Sequence, residues 1–423
     1  MERSIAAVNM PKTEKPVNKG DLSLVWLLLF SCGNPFIGHY LDRYIYIVLL
    51  VLIFILYKPH FTPSDKKTLY RWLGLLFIIF AGQLITLKYI SYLACLNYMA
   101  KLTCGFCIAT VLGARFKDAY LSVMTVICVI SLFFFSLQAL GFSIPNLLPE
   151  GGRGSIGIYS ISMRGDYDNY QLRNAGMFWE PGAFAGYINI AFVLFINNLK
   201  ELIVKHKRKV IILLIALLTT FSTTGYIILA LIVAFYILDS RANGAVKLFF
   251  LVATMVLALM AFTRLDFLGE KITSQFENAS VLTFDSNEHS RFGSIIIDWY
   301  YITLHPLFGN GFALETRYAY HLQFYDEETL LGFGNGFTGI IGTLGVPFML
   351  FYLYSFYKNQ TLRQWTFILT FVILSLQGEQ FMNYPLYLML PFINYGGYRA
   401  IKNKPYNRIQ EPFSQGRKAI PVE

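Results

Sequence analysis

Residues 173–188 read RNAGMFWEPGAFAGYI, an arginine and a Glu-Pro pair followed by an apolar run. Pro181 suits the first turn of a helix, which puts Glu180 at the helix N-terminus, where the helix dipole stabilises a carboxylate. Arg173 is then either the ion-pair partner of that cap or an interfacial arginine that snorkels toward lipid phosphate. The apolar residues continue to about residue 198, so the stretch predicts a membrane helix with a charged pair at its mouth.

The rest of the chain repeats this alternation of long apolar blocks and short charged segments. Of its 423 residues, 55% are hydrophobic and 14% are charged, whereas about a quarter of the residues in a soluble protein are charged. Long apolar blocks predict an all-α integral membrane protein, because a membrane β-barrel would show short alternating segments instead. The five cysteines all fall in apolar blocks and are interpreted as buried packing thiols.

Hydropathy predicts about twelve membrane-spanning helices, with two long segments, 143–176 and 264–335, on the outer face. The predicted spans are 22–38, 43–58, 69–87, 91–113, 119–142, 177–198, 210–221, 224–239, 247–263, 336–357, 364–378 and 383–398. The predicted organisation is a tail at 1–21, a membrane domain at 22–398 and a second tail at 399–423.

Lysine and arginine are concentrated on one side of these spans. They precede the first span and follow every second span after it, most densely in KELIVKHKRK at 200–209. Because the cytoplasmic loops of membrane proteins carry the excess of lysine and arginine, both termini are predicted to be cytoplasmic. The net charge of +10 is therefore interpreted as membrane topology rather than as a nucleic-acid-binding surface.

The second outer segment contains DSNEHSRFGSIIIDWYYITLHPLFGNGF at 285–312. After Ser290 the apolar residues recur with helical spacing, so a helix is predicted along the membrane interface, with Arg291 in its first turn. An arginine there opposes the helix dipole, a local conflict of the kind expected at functional sites. Pro306 is expected to end the helix. His305 is interpreted first as a packing or hydrogen-bonding residue and second as a catalyst.

Beyond Pro306, Gly309 and Gly311 permit a tight loop, and the chain then becomes polar and aromatic. Arg317 and His321 lie in this stretch, which precedes the next predicted span. Aromatic faces stack on sugar rings, and carboxylates bond to sugar hydroxyls. The stretch is therefore interpreted either as a sugar-binding site or as a solvated lid.

Asp166 and Asp168 form an Asp-x-Asp pair in the first outer segment. Nucleotide-sugar transferases often bind a divalent metal through such a pair. Here the pair is predicted to face away from the cytoplasm, where nucleotide sugars are made. We therefore predict no metal and no other cofactor.

Three segments together resemble the O-antigen polymerase and O-antigen ligase superfamily (Wzy and WaaL) of the bacterial inner membrane. RNAGMFWEPGAFAGYI at 173–188 is similar to its Arg-x-x-Gly-x-Phe followed by Glu-Pro and a membrane helix. SRFGSIIIDWYYITLHPLFGNGF at 290–312 resembles its arginine, amphipathic helix and His-Pro-x-x-Gly-x-Gly. GNGFTGIIGTLGVPF at 334–348 resembles the segment whose asparagine, here Asn335, lies ten residues before a glycine. FSTTGYIILALI at 221–232 also resembles a small turn between two spans of that superfamily.

The resemblance implies a fold similar to the GT-C glycosyltransferases and an enzyme of the bacterial cytoplasmic membrane that acts at its outer face. Its substrates would be donor and acceptor glycans on undecaprenyl diphosphate, and its partner proteins a chain-length regulator and a flippase. An acceptor hydroxyl attacks the anomeric carbon and displaces the diphosphate with inversion, without a metal. Arg173 and Arg291 are predicted to hold the diphosphate, because guanidinium groups are planar, permanently charged and bidentate.

The identity of the general base and of the acceptor is left open by the sequence. Glu180, His321 and Asp326 are the candidates for the base, with Glu180 first. The predicted substrate-binding residues are Arg173, Arg291, His305, Asn310, Arg317, His321 and Asn335. Ligases of the superfamily usually have a histidine where this chain has Gly334, which favours a polymerase over a ligase that transfers glycan to a lipid A core.

A flippase for the same lipid-linked sugar is the alternative from a different class. A transporter is expected to carry charges within the bundle and signs of an internal repeat. Lys101 and Glu379 are the candidates for such charges. The scarcity of such charges and the long asymmetric outer segment favour the enzyme.

Overall fold

The computed structural model describes residues 16–41, 44–142, 162–163, 172–239, 243–249, 252, 291–323, 335–357 and 362–393, most of which are helical. In chain order the helices are α1 (Lys19–Ser31), α2 (Pro35–Leu41), α3 (Ile45–Tyr57), α4 (Pro63–Leu87), α5 (Tyr92–Leu112), α6 (Phe116–Ala139), α7 (Pro181–Val193), α8 (Leu199–Lys205), α9 (Lys207–Leu218), α10 (Thr223–Asp239), α11 (Arg291–Leu304), α12 (Leu314–Arg317), α13 (Gly336–Leu344), α14 (Val346–Tyr357), α15 (Leu362–Gly378) and α16 (Pro385–Met389). In the first outer segment, β1 (Ser162–Met163) pairs antiparallel with β2 (Leu172–Arg173).

Two of the described helical stretches are long and apolar enough to cross a membrane, on length and composition: Pro63–Leu87 and Tyr92–Ala139. The second has 48 residues, about 72 Å of helix, which is more than twice the thickness of a bilayer core. Gly113, at φ +52°, interrupts this stretch between α5 and α6. Each of these two helices is long enough for one crossing of the membrane. The described chain is therefore an all-α protein with candidate membrane helices, as predicted. The twelve spans and the GT-C-like arrangement stay predictions.

Two of the predicted spans are bent in the structure. The span predicted at 336–357 consists of α13 and α14, which meet at 120°. Gly345, at φ +83°, ends α13 after nine residues, about 13.5 Å of helix and less than half of a bilayer core. The span predicted at 177–198 begins only at Pro181 and bends by 52° after α7. Neither is one continuous helix. The sequence predicted single spans because hydropathy alone does not register a bend.

The first and last predicted spans also depart from a single helix. Within 22–38, a break separates α1 from α2. The last span, 383–398, is described only to residue 393 and consists of α16 between two short 3-10 turns. Every residue of α16 is buried, which is typical of a helix inside a protein rather than of one that faces lipid.

Part of the predicted organisation falls outside the described residues. This applies to residues 1–15 of the first tail, to the second tail at 399–423, to most of 143–176 and 247–263, and to residues 264–290 and 324–334.

The start of α1, the end of α3 and the junction of α5 with α6, which all carry basic residues, contact one another at one end of the bundle, called the basic end below. Arg115, between α5 and α6, donates from Nη1 to both carboxylate oxygens of Asp21 in α1, at 2.7 and 2.6 Å. The Tyr57 hydroxyl at the end of α3 donates to the Gly20 carbonyl at 2.8 Å. These contacts group segments that the charge bias assigns to one side of the membrane. That this side is cytoplasmic is a prediction from the sequence.

Buried tyrosine hydroxyls connect the core helices by hydrogen bonds to backbone carbonyls. Tyr120 in α6 donates to the Tyr187 carbonyl at 2.8 Å, and Tyr187 in α7 donates to the Cys32 carbonyl at 3.1 Å. A buried tyrosine hydroxyl needs such a partner, because it has left water. The five cysteines are buried and free, as predicted for packing thiols.

Candidate functional site

Helix α11 confirms the helix that the sequence predicts here, and it ends before Pro306 as expected. Its place at the membrane interface stays a prediction. Its polar residues Ser294 and Asp298 are buried against the protein. Its opposite side exposes apolar side chains, among them Trp299, which is 63% exposed. An apolar side turned away from the protein is typical of a helix that lies against lipid.

Asp298 forms an ion pair with Arg317 in which both side chains are buried. Arg317 is 4% exposed and Asp298 is 2% exposed, and Nη2 of the arginine donates to Oδ1 of the aspartate. The other carboxylate oxygen accepts from the Thr338 hydroxyl at 2.6 Å. Burial raises the pKa of Asp298, while Arg317 and Thr338 oppose that rise. The three residues join α11, α12 and α13.

One nitrogen of the Arg317 guanidinium is left without a protein partner. Nη1 is buried and has no hydrogen-bond partner among the described residues. The guanidinium carbon lies 4.6 Å from the Tyr318 ring centroid and 5.6 Å from that of Tyr301. Gly342 packs against the guanidinium so closely that a β-carbon would collide with it. A buried N–H without a partner costs about 1–3 kcal/mol, which a bound acceptor would recover.

Arg317 lines a polar cavity of about 150 Å³, called the arginine cavity below. The cavity lies between α12, the N-terminus of α13 and the 3-10 turn Phe381–Asn383. Its polar lining consists of Arg317, Tyr318, Asn335, Thr343, Gln380 and Asn383. A guanidinium and side-chain amides donate hydrogen bonds, and the dipole at the N-terminus of α13 favours a negative charge, so the cavity suits an anion with several oxygen atoms.

Asn335 caps α13 at the edge of the arginine cavity. Its Oδ1 accepts from the N–H groups of Phe337 and Thr338, both at 3.0 Å. Its Nδ2 donates to Oε1 of Gln377 at 2.5 Å. These bonds order the N-terminus of α13, and the predicted contact of Asn335 with substrate stays a prediction.

Asn310 holds the other end of α13. Its Nδ2 donates to the carbonyls of Tyr301 at 2.9 Å and Gly342 at 3.0 Å, and the N–H of Gly311 donates to the Thr343 carbonyl at 3.1 Å. The predicted tight loop thus docks on the last carbonyls of α13, which a helix leaves without partners. Both amide N–H groups of Asn310 are used in this scaffold, so a contact with substrate would have to come from its Oδ1.

His321 is buried beside Tyr301. The Tyr301 hydroxyl lies 2.9 Å from Nδ1 of His321 and accepts from the N–H groups of Tyr320 at 3.1 Å and His321 at 3.2 Å. Because this hydroxyl already accepts two hydrogen bonds, its proton goes to Nδ1, and His321 carries its own proton on Nε2. Burial, and then Arg317, lowers the pKa of His321. His305, by contrast, is half-buried, and its side chain has no hydrogen-bond partner in the described chain.

Arg173 contacts the turn between α9 and α10. Its Nε donates to the Thr220 carbonyl at 3.2 Å and its Nη2 to the Phe221 carbonyl at 2.9 Å. The neighbouring Asn174 donates from its N–H to the Thr219 carbonyl at 2.9 Å. Phe221 has φ +46°, a conformation that side-chain-bearing residues rarely adopt. Arg173 therefore stabilises a strained turn.

The N-terminus of α7 has carboxylates from two parts of the chain. Glu180 is the N-cap residue, as predicted, but its side chain makes no capping hydrogen bond. Glu379 is 5% exposed, and its Oε2 accepts from Nε1 of Trp179 at 3.2 Å. Its Oε1 lies so close to Gly182 that a β-carbon there would collide with it. The carboxylate against the first turn of α7 therefore belongs to Glu379, and its charge suits the helix dipole.

The segment 377–383 links α7 to the arginine cavity. Glu379 lies against α7, whereas the next residue, Gln380, lines the cavity together with Asn383. Gly336, the first residue of α13, packs against the backbone of Glu379 with no room for a β-carbon. The N-termini of α7 and α13 therefore approach the same segment from two sides.

Sequence reasoning missed Asp298, Thr338 and Gln380 as members of the site. One signal was available for Asp298, since it is the single acidic residue in the helix sequence RFGSIIIDWYYITL. A lone carboxylate among apolar residues is expected to have a buried partner. Thr338 and Gln380 carry no such signal.

Several predicted site residues have no described side chain to compare with this cavity. The side chain of Arg291 and all of Asp166, Asp168 and Asp326 lie outside the described residues, so their roles stay predictions. In the described ranges, no three His, Cys, Asp or Glu side chains come together as a metal ion requires.

Comparison of the chain with protein-family models, with curated proteins and with solved structures gives no match. The fold and the arginine cavity are thus the observations that bear on function. They define a mostly helical protein with candidate membrane helices and a buried, anion-suited cavity beneath an amphipathic helix.

Proposed function

We propose that this protein is a membrane glycosyltransferase that joins oligosaccharide repeat units carried on undecaprenyl diphosphate. It would act at the outer face of the bacterial cytoplasmic membrane and build O-antigen, capsule or exopolysaccharide. The observation that carries this proposal is Arg317, which is 4% exposed, lines a polar cavity and has one nitrogen without a partner among the described residues. The resemblance of three sequence segments to the polymerase and ligase superfamily agrees with it.

The donor diphosphate is the group that the arginine cavity suits. Asp298 bonds to one nitrogen of Arg317 and so orients the guanidinium, which leaves Nη1 for a phosphate oxygen. The N-terminus of α13, which also lines the cavity, adds a favourable dipole for an anion. The exposed apolar side of α11 supports a lipid substrate, because it brings acyl or polyprenyl chains close to this cavity.

In the proposed reaction, a hydroxyl of the acceptor sugar attacks the anomeric carbon of the donor sugar. The bond from this carbon to the diphosphate oxygen breaks, and the diphosphate leaves with the electron pair. Arg317 stabilises the charge that develops there, since preorganised donors act most strongly where water is excluded. Arg291 is a further proposed contact of the diphosphate, whereas Arg173 is proposed to act by ordering the turn between α9 and α10. The hydroxyl proton passes to a base, for which Glu180, half-buried at the start of α7, is the first candidate.

A glycan gel tests the proposal in a deletion strain that is complemented with Arg317→Lys. Lysine keeps the charge but loses the planar fork, so we expect elongation to fall by about a hundredfold. The ladder then collapses to single repeat units. Arg173→Lys is the matched control, because an ammonium group can still bond to one of the two carbonyls of the turn. This variant should keep the ladder.

The other outcomes separate this function from its alternatives. Long chains that remain on the lipid carrier and are absent from the final acceptor indicate a ligase. Repeat units trapped on the cytoplasmic side indicate a transporter. A normal ladder from Arg317→Lys, at wild-type protein levels in the membrane, contradicts the assignment of the diphosphate to the arginine cavity.

A further inference from the structure

A second cavity lies at the basic end of the bundle, away from the arginine cavity. It has a volume of about 420 Å³ and lies between α4, α5, α14 and the 3-10 turn Leu390–Phe392. Its polar lining consists of Asp65, Thr68, Arg71, Thr110 and Ser355, and the rest of its lining is mostly aromatic. We call it the basic-end cavity.

Two adjacent residues of α4 bring hydrogen-bond donors to this cavity. Trp72 is 1% exposed, and four aromatic rings surround it, the nearest being Phe351 at 4.7 Å between centroids. Its indole N–H makes no hydrogen bond to any described residue. A buried tryptophan N–H normally has an acceptor. The Arg71 guanidinium is exposed and is likewise without an ion-pair partner in the described chain.

The hydroxyl groups of the cavity are arranged to accept hydrogen bonds. Thr68, Thr110 and Ser355 each donate to a carbonyl one turn earlier in their own helix, at 2.9, 2.9 and 2.7 Å. Their protons are used, so their oxygen atoms are left to accept from a ligand. Asp65 is held by Thr62, whose hydroxyl donates to it at 2.7 Å. This combination of donors and acceptors suits a ligand that has both anionic oxygens and hydroxyl groups.

The surroundings of the cavity indicate that the ligand is a lipid. Lys58 and Lys67 are exposed in the same segment as Arg71, which favours an anionic surface. On α14, Leu350 and Tyr354 are each 61% exposed beside the cavity. An apolar helix surface next to a polar cavity accommodates acyl chains and a head group together.

We propose that the basic-end cavity binds an anionic phospholipid with a hydroxylated head group, of the phosphatidylglycerol type. Arg71 and the Trp72 indole donate to the phosphate, and the three hydroxyl oxygens accept from the head group. The acyl chains lie along α4 and α14. This site is independent of the proposed glycosyl transfer, because it lies at the opposite end of the bundle from the arginine cavity.

Native mass spectrometry of the full chain, released from micelles with equal amounts of phosphatidylglycerol and phosphatidylcholine, tests the site. Wild type is expected to retain phosphatidylglycerol preferentially. Arg71→Gln should lower this retention about fivefold, the effect of one cationic contact with an anionic lipid. Trp72→Phe, which keeps the ring and removes the N–H, should lower it as well.

Lys66→Gln is the matched control, because it removes the same charge from the opposite side of α4. It should retain the lipid as wild type does. Equal losses in Arg71→Gln and Lys66→Gln would mean a diffuse surface effect and overturn the site. Displacement of the lipid by an equal concentration of glycerol 3-phosphate would mean that the head group alone suffices, and it would overturn the assignment to a lipid.

Discussion

Arg173 and Arg317 both lie in segments that are predicted to be on the outer face, but their contacts in the structure differ. Arg173 is half-buried and donates to two carbonyls of the turn between α9 and α10. Arg317 is buried, bonds to Asp298, lines a polar cavity and has one nitrogen without a partner in the described part of the chain. One guanidinium orders the backbone, and the other pairs with a carboxylate beside a polar cavity.

The difference shows why membership in a motif is a weak guide to a ligand site. Arg173 lies in one of the segments that resemble a known superfamily, yet its hydrogen bonds to the turn between α9 and α10 give it a structural role. Arg317 lies outside the quoted motifs. A buried donor without a partner lowers stability. The presence of such a donor on Arg317, which lines a cavity, is therefore a better indicator of a bound anion than membership in a motif.

The largest effect is expected from breaking the buried ion pair. Arg317→Met leaves the Asp298 carboxylate buried and unpaired, which should lower the free energy of unfolding by about 3–5 kcal/mol. Adding Asp298→Leu removes that carboxylate and should restore most of the stability. Elongation should stay lost in the double variant, measured per folded molecule. Recovery of elongation with stability would mean that the pair is only structural.

A smaller loss of stability is expected from substitution of Arg173. Arg173→Ala removes two charged hydrogen bonds to the turn, so the free energy of unfolding should fall by about 2 kcal/mol. Thermal unfolding in detergent measures this loss. Elongation per folded molecule should fall less than in Arg317→Lys. An equal loss of elongation in Arg173→Ala, with stability unchanged, would make Arg173 the principal contact of the diphosphate.

Glu379 and Glu180, the two carboxylates at the N-terminus of α7, are also expected to differ in their effect on stability. Glu379→Gln keeps a partner for the Trp179 indole but removes the negative charge from the helix N-terminus. The free energy of unfolding should fall by about 1 kcal/mol. Glu180→Gln, at a half-exposed side chain without a capping bond, should change it by less than about 0.5 kcal/mol. A larger loss of stability in Glu180→Gln would reverse this assignment of the cap.

The smallest effect is a pH dependence from His321. Because burial lowers its pKa in the folded state, the unfolded chain binds more protons between that pKa and the ordinary value of 6.5. Stability therefore rises with pH across this window and is lost as the pH falls below 6.5. His321→Asn, whose Oδ1 can accept from Tyr301, should flatten this part of the profile. Identical slopes between pH 5 and 7 in the two proteins would contradict a neutral His321.

Local features were predictable from the sequence because they depend on neighbouring residues. The amphipathic helix α11, its end before Pro306 and the start of α7 at Pro181 follow from periodicity and from proline chemistry. The tight loop around Asn310 was expected from its glycines, two of which have φ values of +72° and +76°.

Tertiary features were not predictable in the same way. The pair of Asp298 and Arg317 joins residues 19 positions apart on different helices, and Glu379 reaches α7 across 200 positions from Trp179. The bend at Gly345 divides a segment that hydropathy treats as uniform. Each depends on which helices pack together, and a single sequence contains little information on that.

The central claim is that Arg317 holds the donor diphosphate, and a direct binding measurement tests it. Calorimetric titration of the purified protein would compare a short-chain polyprenyl diphosphate with the matching monophosphate. Wild type is predicted to bind the diphosphate at least about tenfold more tightly, Arg317→Lys to lose this preference, and Arg173→Lys to keep it. Equal affinity of wild type for both lipids, or an unchanged preference in Arg317→Lys, would contradict the account.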